Sequence, residues 1–173
     1  MTRKEFMNRI GNGQEDILQQ FLNLLSQLEI DYCVIGGLAV NAYVEPVVSL
    51  DLDVVVTVTE LERLSKAARK IFKAQKFPHS INLSCAKSDL RIQIQIDPRY
   101  QSFIKKATTK ALMGYKMKVA TLEDVMQGKV WAYLDEERRA SKRQKDLADI
   151  FRLIEVYPKL KSILPEAIEK LIK

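Results

Sequence analysis

Between positions 16 and 28 apolar residues return every three or four places, at Ile17, Phe21, Leu25 and Leu28 with Leu18 and Leu22 beside them. This spacing predicts an amphipathic helix, bounded at its start by Gly11 and Gly13. Tyr32-Cys33-Val34-Ile35 is a short apolar run that stops at Gly36-Gly37, as a buried strand would, and residues 38–43 predict the first turns of a helix. Residues 50–58 are rich in β-branched side chains, and 90–96 alternate, with Ile92, Ile94 and Ile96 on one face and Arg91, Gln93 and Gln95 on the other. Both predict strands, the second ended by Pro98. Thr59-x-x-Glu62 has the form of a capping box and predicts a helix with Leu61, Leu64, Ala68, Ile71 and Phe72 inward. Beyond Tyr100 the pattern turns mainly helical: one long helix from a Thr121 cap to about Arg139, then helices over 142–156 and 165–172. The chain thus divides into an α/β half, 1–105, and a helical half, 106–173, without internal repeats or a low-complexity linker.

Asp51 and Asp53 break this apolar pattern. On a strand they project to one side with Cα atoms ~6.5–7 Å apart. Unneutralised, such a pair repels and one pKa rises. A hard cation with oxygen ligands, such as Mg²⁺, removes the conflict and can carry a nucleoside triphosphate (NTP). Gly36-Gly37 lies about fifteen positions earlier, after a strand and before a helix, where backbone can approach phosphate oxygens closely; a tight strand–helix turn would also account for it. Neither Gly-x-Gly-x-x-Gly nor Gly-Lys-Ser/Thr is present, so a dinucleotide fold and a P-loop are unsupported.

In the second half, Lys129 falls on a stripe formed by Leu122, Val125, Met126, Val130 and Tyr133, and Asp146 lies on the face marked by Leu147, Ile150 and Leu153. A buried Lys129–Asp146 ion pair joining two helices is one reading; a cleft that needs the lysine is the other. Arg138, Arg139, Lys142, Arg143 and Lys145 form a basic run between the two helices.

Composition changes this picture little. The 173 residues are 47% hydrophobic and 29% charged, with a net charge of +6 that suits solubility or an anionic partner. No apolar run reaches the ~18 residues of a membrane span. The first residues lack the apolar core of a signal peptide, so a cytoplasmic location is expected. Two cysteines and one histidine exclude a disulfide framework and argue against a zinc site.

Strand, Gly36-Gly37, short helix and Asp51-x-Asp53, followed by Lys129-Val-Trp-Ala132 and Arg143-Gln-Lys-Asp-Leu-Ala-Asp149, resemble the motifs of the AbiEii-type nucleotidyltransferases of the polymerase-β-like superfamily. The resemblance spans about 32–155 and implies an α/β (α+β) fold, with a small mixed-sheet core followed by a helical C-terminal part. It implies Mg²⁺ on Asp51 and Asp53, and an NTP held by Gly36, Gly37, Ser49, Lys129 and Arg143. Asp146 is expected to orient Lys129 or to contact base or sugar. The implied reaction moves a nucleoside monophosphate to an acceptor hydroxyl, with RNA or tRNA and a cognate antitoxin as partners and no membrane. The chain departs from the family where an arginine and a threonine are common, at Val47 and Ser49. It also departs at the third carboxylate, where Gln93 and Gln95 are neutral and the nearest acid on their side is Asp97, at the strand end. A catalytically degenerate nucleotide- or protein-binding module, and transfer to an aminoglycoside-like small molecule, are the competing expectations.

Overall fold

A computed structural model of the chain describes residues 1–172. A seven-stranded mixed sheet forms its centre: β1 (Tyr32–Ile35), β2 (Asp51–Val56), β3 (Lys73–Lys76), β4 (Ser80–Cys85), β5 (Ser88–Gln95), β6 (Thr108–Leu112) and β7 (Tyr115–Val119). Their order across the sheet is β3-β4-β5-β2-β1-β7-β6. β2 runs antiparallel to β1 and parallel to β5, while β1 and β7 are parallel. The helices are α1 (Arg3–Ile10), α2 (Ile17–Gln27), α3 (Gly36–Val40), α4 (Leu61–Ala68), α5 (Gln101–Lys106), α6 (Leu122–Leu134), α7 (Ala140–Val156) and α8 (Glu166–Glu169).

Helix α2 takes the expected register, with Asp16 accepting from the Gln19 N–H at its start and Ile17, Leu18, Phe21, Leu22 and Leu25 buried. The capping box lies elsewhere than expected. Thr2 and Glu5 form one at α1, whereas residues 58–60 make a 3₁₀ turn and α4 starts after Glu60 without a side-chain cap. The Val58 N–H is taken instead by the Gln101 side chain, which fixes the chain before Thr59 can act as a cap.

The β6–β7 hairpin adds two strands beyond residue 105, and one hydrophobic cluster runs from Ile17 to Ile168. The hairpin turns through Met113 (φ 52°) and Gly114 (φ 86°), successive positive values that match strand twist. Tyr115, Met117 and Val119 alternate inward on β7. The helix expected to reach Arg139 ends at Leu134, and α7 opens at Ala140. The strand expected over 50–58 holds as β2, with Leu52, Val54, Val55 and Val56 fully buried.

Candidate active site

Strand β2 carries Asp51 and Asp53 to the face where α3, α6 and α7 gather. Asp53 lies opposite Ile35 on β1 and Gln93 on β5, and Asp51 lies opposite Arg91. The chain leaves β1 through Gly36 at φ +71°, which L side chains adopt only under strain. A Cβ there would stand 2.2 Å from the Asp53 Oδ2. The glycine therefore lets the Asp53 carboxylate pack directly on backbone. The two carboxylates, Gly36, Gln93, Gln95, Tyr100, Lys129, Arg138, Lys142 and Asp146 line a cleft of about 120 Å³ between the sheet and the two long helices.

The charges in this cleft are arranged in two groups. In the deeper one, the Lys129 Nζ donates to Asp146 Oδ1 at 2.9 Å and lies 2.7 Å from Asp149 Oδ2. Arg138 Nε takes the other Asp146 oxygen at 2.7 Å, and Arg152 takes the other Asp149 oxygen at 2.6 Å. Arg152 continues to Asn41 and to the Glu45 carbonyl. Asn41 in turn holds both the N–H and the carbonyl of Val47, so this chain of charges ties α6 and α7 to the loop that feeds β2. Burial alone would lower the Lys129 pKa; Asp146 and Asp149 outweigh it and hold the lysine charged, above its ordinary value.

The second group is at the mouth. Asp51 Oδ1 pairs with Arg91 Nε at 2.8 Å, and Oδ2 with Lys142 Nζ at 3.1 Å. Among the described residues Asp53 has no such partner. Desolvation pushes its pKa up to about 6, with Lys129 opposing and the Asp51 charge adding to the rise. Asp53 lines the cleft, and the Gly36 backbone crowds its carboxylate.

The structure thus brings Asp51, Asp53, Gly36, Lys129 and Asp146 together. It places the other expected residues elsewhere. Asp97 caps the 98–100 turn and binds Arg99 through both carboxylate oxygens, which hold its pKa down; it does not line the cleft. Arg143 donates to the Tyr133 carbonyl at 2.7 Å and stacks on that ring, turned toward the end of α6. Ser49 folds back on the Asp51 backbone, and Gly37 sits in α3 with its Cα toward Ser49 and Asp149. Arg91 and Tyr100 also stand at the site without a signal in the sequence, whereas Arg138 and Lys142 belong to the basic run. Lys142 and Asp146, four apart on α7, lie in one line along that helix, while Arg138 reaches Asp146 from the turn before it. The Arg91–Asp51 pairing needs the parallel β2–β5 register and has no local signal.

A mixed sheet that presents two adjacent carboxylates beside a diglycine turn, under a helical layer, is the nucleotidyltransferase fold. ANT(2'')-Ia in complex with adenylyl-2''-tobramycin superposes with a TM-score of 0.62 at 13% identity, covering 91% of this chain and 97% of that one. The lincosamide antibiotic adenylyltransferase LnuA, lincomycin-bound, gives 0.56 at 11% identity over 82% and 98%. An antigenic nucleotidyltransferase-like protein from Paracoccidioides brasiliensis gives 0.53 at 20% over 86% and 75%. No curated protein matches the chain by sequence. The chain belongs to the AbiEii family, described as the nucleotidyl transferase AbiEii toxin of type IV toxin–antitoxin systems, which it matches over residues 17–173. Among the described residues no helix is long and apolar enough to cross a membrane.

Proposed function

We propose that the protein is a metal-dependent nucleotidyltransferase that moves a nucleoside monophosphate from an NTP to an acceptor hydroxyl. The observation that carries this reading is that Asp51 and Asp53 share one cleft with Lys129, which two carboxylates hold in place. Among the described residues no group of three or more His, Cys, Asp or Glu forms a closed metal cage. Two carboxylates beside the Gln93 amide nonetheless suit Mg²⁺, which takes one or two protein carboxylates and completes its shell with phosphates and water. Asp51 and Asp53 would hold the ion, and when bound it polarises the phosphates and neutralises their charge.

The chain's own residues supply the rest. The bare backbone at Gly36 lets the Asp53 carboxylate pack against it at the wall of the cleft. Lys129, held by two carboxylates, presents a fixed positive charge to the cleft and offsets charge that grows on the phosphates. The acceptor oxygen forms the new bond to the α-phosphorus as the bond to pyrophosphate breaks, and the hydroxyl proton passes to a phosphate oxygen or water. The acceptor is an RNA, such as a tRNA 3′ end, in keeping with the basic run and the net charge of +6. Family membership supports a cellular role as the toxin of a toxin–antitoxin pair. A small hydroxylated acceptor is the alternative, in view of the antibiotic-bound structures that share the fold.

A second reading, a nucleotide-binding module without turnover, is favoured by Gln93. It stands directly beside Asp53, where a proton-accepting carboxylate would serve, and an amide cannot accept that proton. Incubation with Mg²⁺, each α-labelled NTP and total RNA, next to the Asp51→Ala/Asp53→Ala variant, separates the two. Label transferred to RNA by the parent protein alone supports transfer. Calorimetric NTP binding without transfer supports the module, and absence of both binding and transfer refutes each.

A further inference from the structure

We infer that Lys142 and Arg91 are phosphate-binding residues held in reserve on Asp51: when a metal–NTP complex takes Asp51, both cations are released to the polyphosphate. This deepens the nucleotidyltransferase reading and rests on it.

The argument starts from the two carboxylate oxygens of Asp51. Each is already occupied, Oδ1 by Arg91 at 2.8 Å and Oδ2 by Lys142 at 3.1 Å. A divalent cation that takes either oxygen meets the ammonium or guanidinium group already on it, and the two like charges repel a few ångströms apart. Departure of the side chain relieves that repulsion.

Lys142 spans from α7 to β2 across the mouth of the cleft, whose volume of about 120 Å³ is below the ~300–1,000 Å³ of ordinary ligand sites. Moving Lys142 both frees Asp51 and widens the entrance.

The other cations of the cleft cannot play this part. Lys129 is 7% exposed and lies between Asp146 and Asp149; Arg138 is bound to Asp146. Turning either away would remove one of the two cations that hold the buried Asp146 carboxylate, which is costly. Lys142 and Arg91 differ on both counts. Their side chains are 37% and 65% exposed, and the carboxylate they leave receives the incoming cation in exchange. Both have long flexible stems that reach from opposite sides, β5 and α7, toward the place where phosphates bound to that cation would lie. Release therefore conserves charge: two positive side chains move from a carboxylate to a polyphosphate as the metal replaces them.

The exchange has a signature that a merely structural salt bridge lacks, because removing the lysine should act in opposite directions on metal and nucleotide. Lys142→Gln, Arg91→Gln and the double variant are compared with the parent protein. Binding of Mn²⁺ alone is followed by electron paramagnetic resonance, and binding of ATP, CTP, GTP and UTP with Mg²⁺ by calorimetry. We expect Lys142→Gln to bind Mn²⁺ more tightly and its preferred NTP about tenfold or more weakly, with the double variant further along both axes. Lys142→Arg should retain the NTP affinity. If Lys142→Gln and Arg91→Gln bind NTP as well as the parent, while Asp51→Ala does not, the exchange is refuted and the nucleotidyltransferase reading stands. Weaker binding of both Mn²⁺ and NTP would also refute it. If the parent protein itself binds no NTP, the reading and the exchange fall together.

Discussion

Replacing Gly36 by alanine places a methyl group 2.2 Å from the Asp53 Oδ2 and 2.9 Å from its Cγ, at a backbone φ of +71°. Two costs add. An L residue in the left-handed region costs about 1–2 kcal/mol. Relieving the overlap requires a shift of roughly 1 Å in the carboxylate or the strand, which at the usual cost of overpacking is about 1–3 kcal/mol. The sum, about 2–5 kcal/mol, corresponds to a fall in Tm of about 4–20 °C for a chain of this size. Gly37 is the internal control. A Cβ there meets nothing nearer than Ser49 Oγ at 3.9 Å and Asp149 Oδ2 at 4.0 Å, both ordinary contacts. Gly37→Ala should melt within about 2 °C of the parent or slightly above it, because alanine favours the helical backbone by up to ~1 kcal/mol. Differential scanning calorimetry of the two variants decides the matter. Equal melting of Gly36→Ala and the parent, or an equal fall for both variants, would refute the claim that Asp53 packs on the bare backbone of Gly36. Label transfer by Gly36→Ala should drop about 100-fold even where it stays folded, since a displacement near 1 Å at a reacting centre has that effect.

The raised pKa of Asp53, about 6, makes a prediction for the metal-free protein. A carboxyl that holds its proton more tightly when folded contributes stability in acid, and loses it as pH rises from about 4 through about 6. With chelator present, Asp53→Asn should gain on the parent across that window by up to about 3 kcal/mol, and a constant difference between the two urea-unfolding curves from pH 4 to 8 would contradict it. Lys129→Met leaves Asp146 and Asp149 with only their outer arginines and should cost about 3 kcal/mol, a Tm fall of about 6–12 °C; a variant as stable as the parent would show that the charge chain contributes nothing. Gln93→Glu puts an acid beside Asp53 and, if proton removal limits transfer, should speed it by about 10²-fold, whereas an unchanged rate in a folded variant rules that limit out.

Much of the architecture could be read locally. The helical period of α2, the apolar runs of β1 and β2 and the alternation on β5 are set by side chains within a few residues, and each formed where its pattern indicated. The elements that went unread had weaker or competing signals. β3 is Lys-Ala-Gln-Lys, an exposed edge with no apolar face, and Thr59 carried a capping pattern that Gln101, from far along the chain, overrode. β7 did have its period of two and Gly114 before it, but short strands between helical segments lose to the longer helical pattern around them, and β6 has no such alternation.

By itself the sequence determined that two acids lie on one face of a buried strand behind a glycine turn, because a strand's period of two admits no other outcome. It determined too that Lys129 and Asp146 lie on the inward sides of their helices. Which charges meet was decided only in three dimensions. Arg91 reaches Asp51 through the register of a parallel strand pair, and Lys142 reaches it across the gap between α7 and the sheet. Arg99 claims Asp97, while a backbone carbonyl claims Arg143. The two pairings on Asp51 depend on distances of a few ångströms between segments far apart in the chain. Residue spacing along one segment carries no record of them.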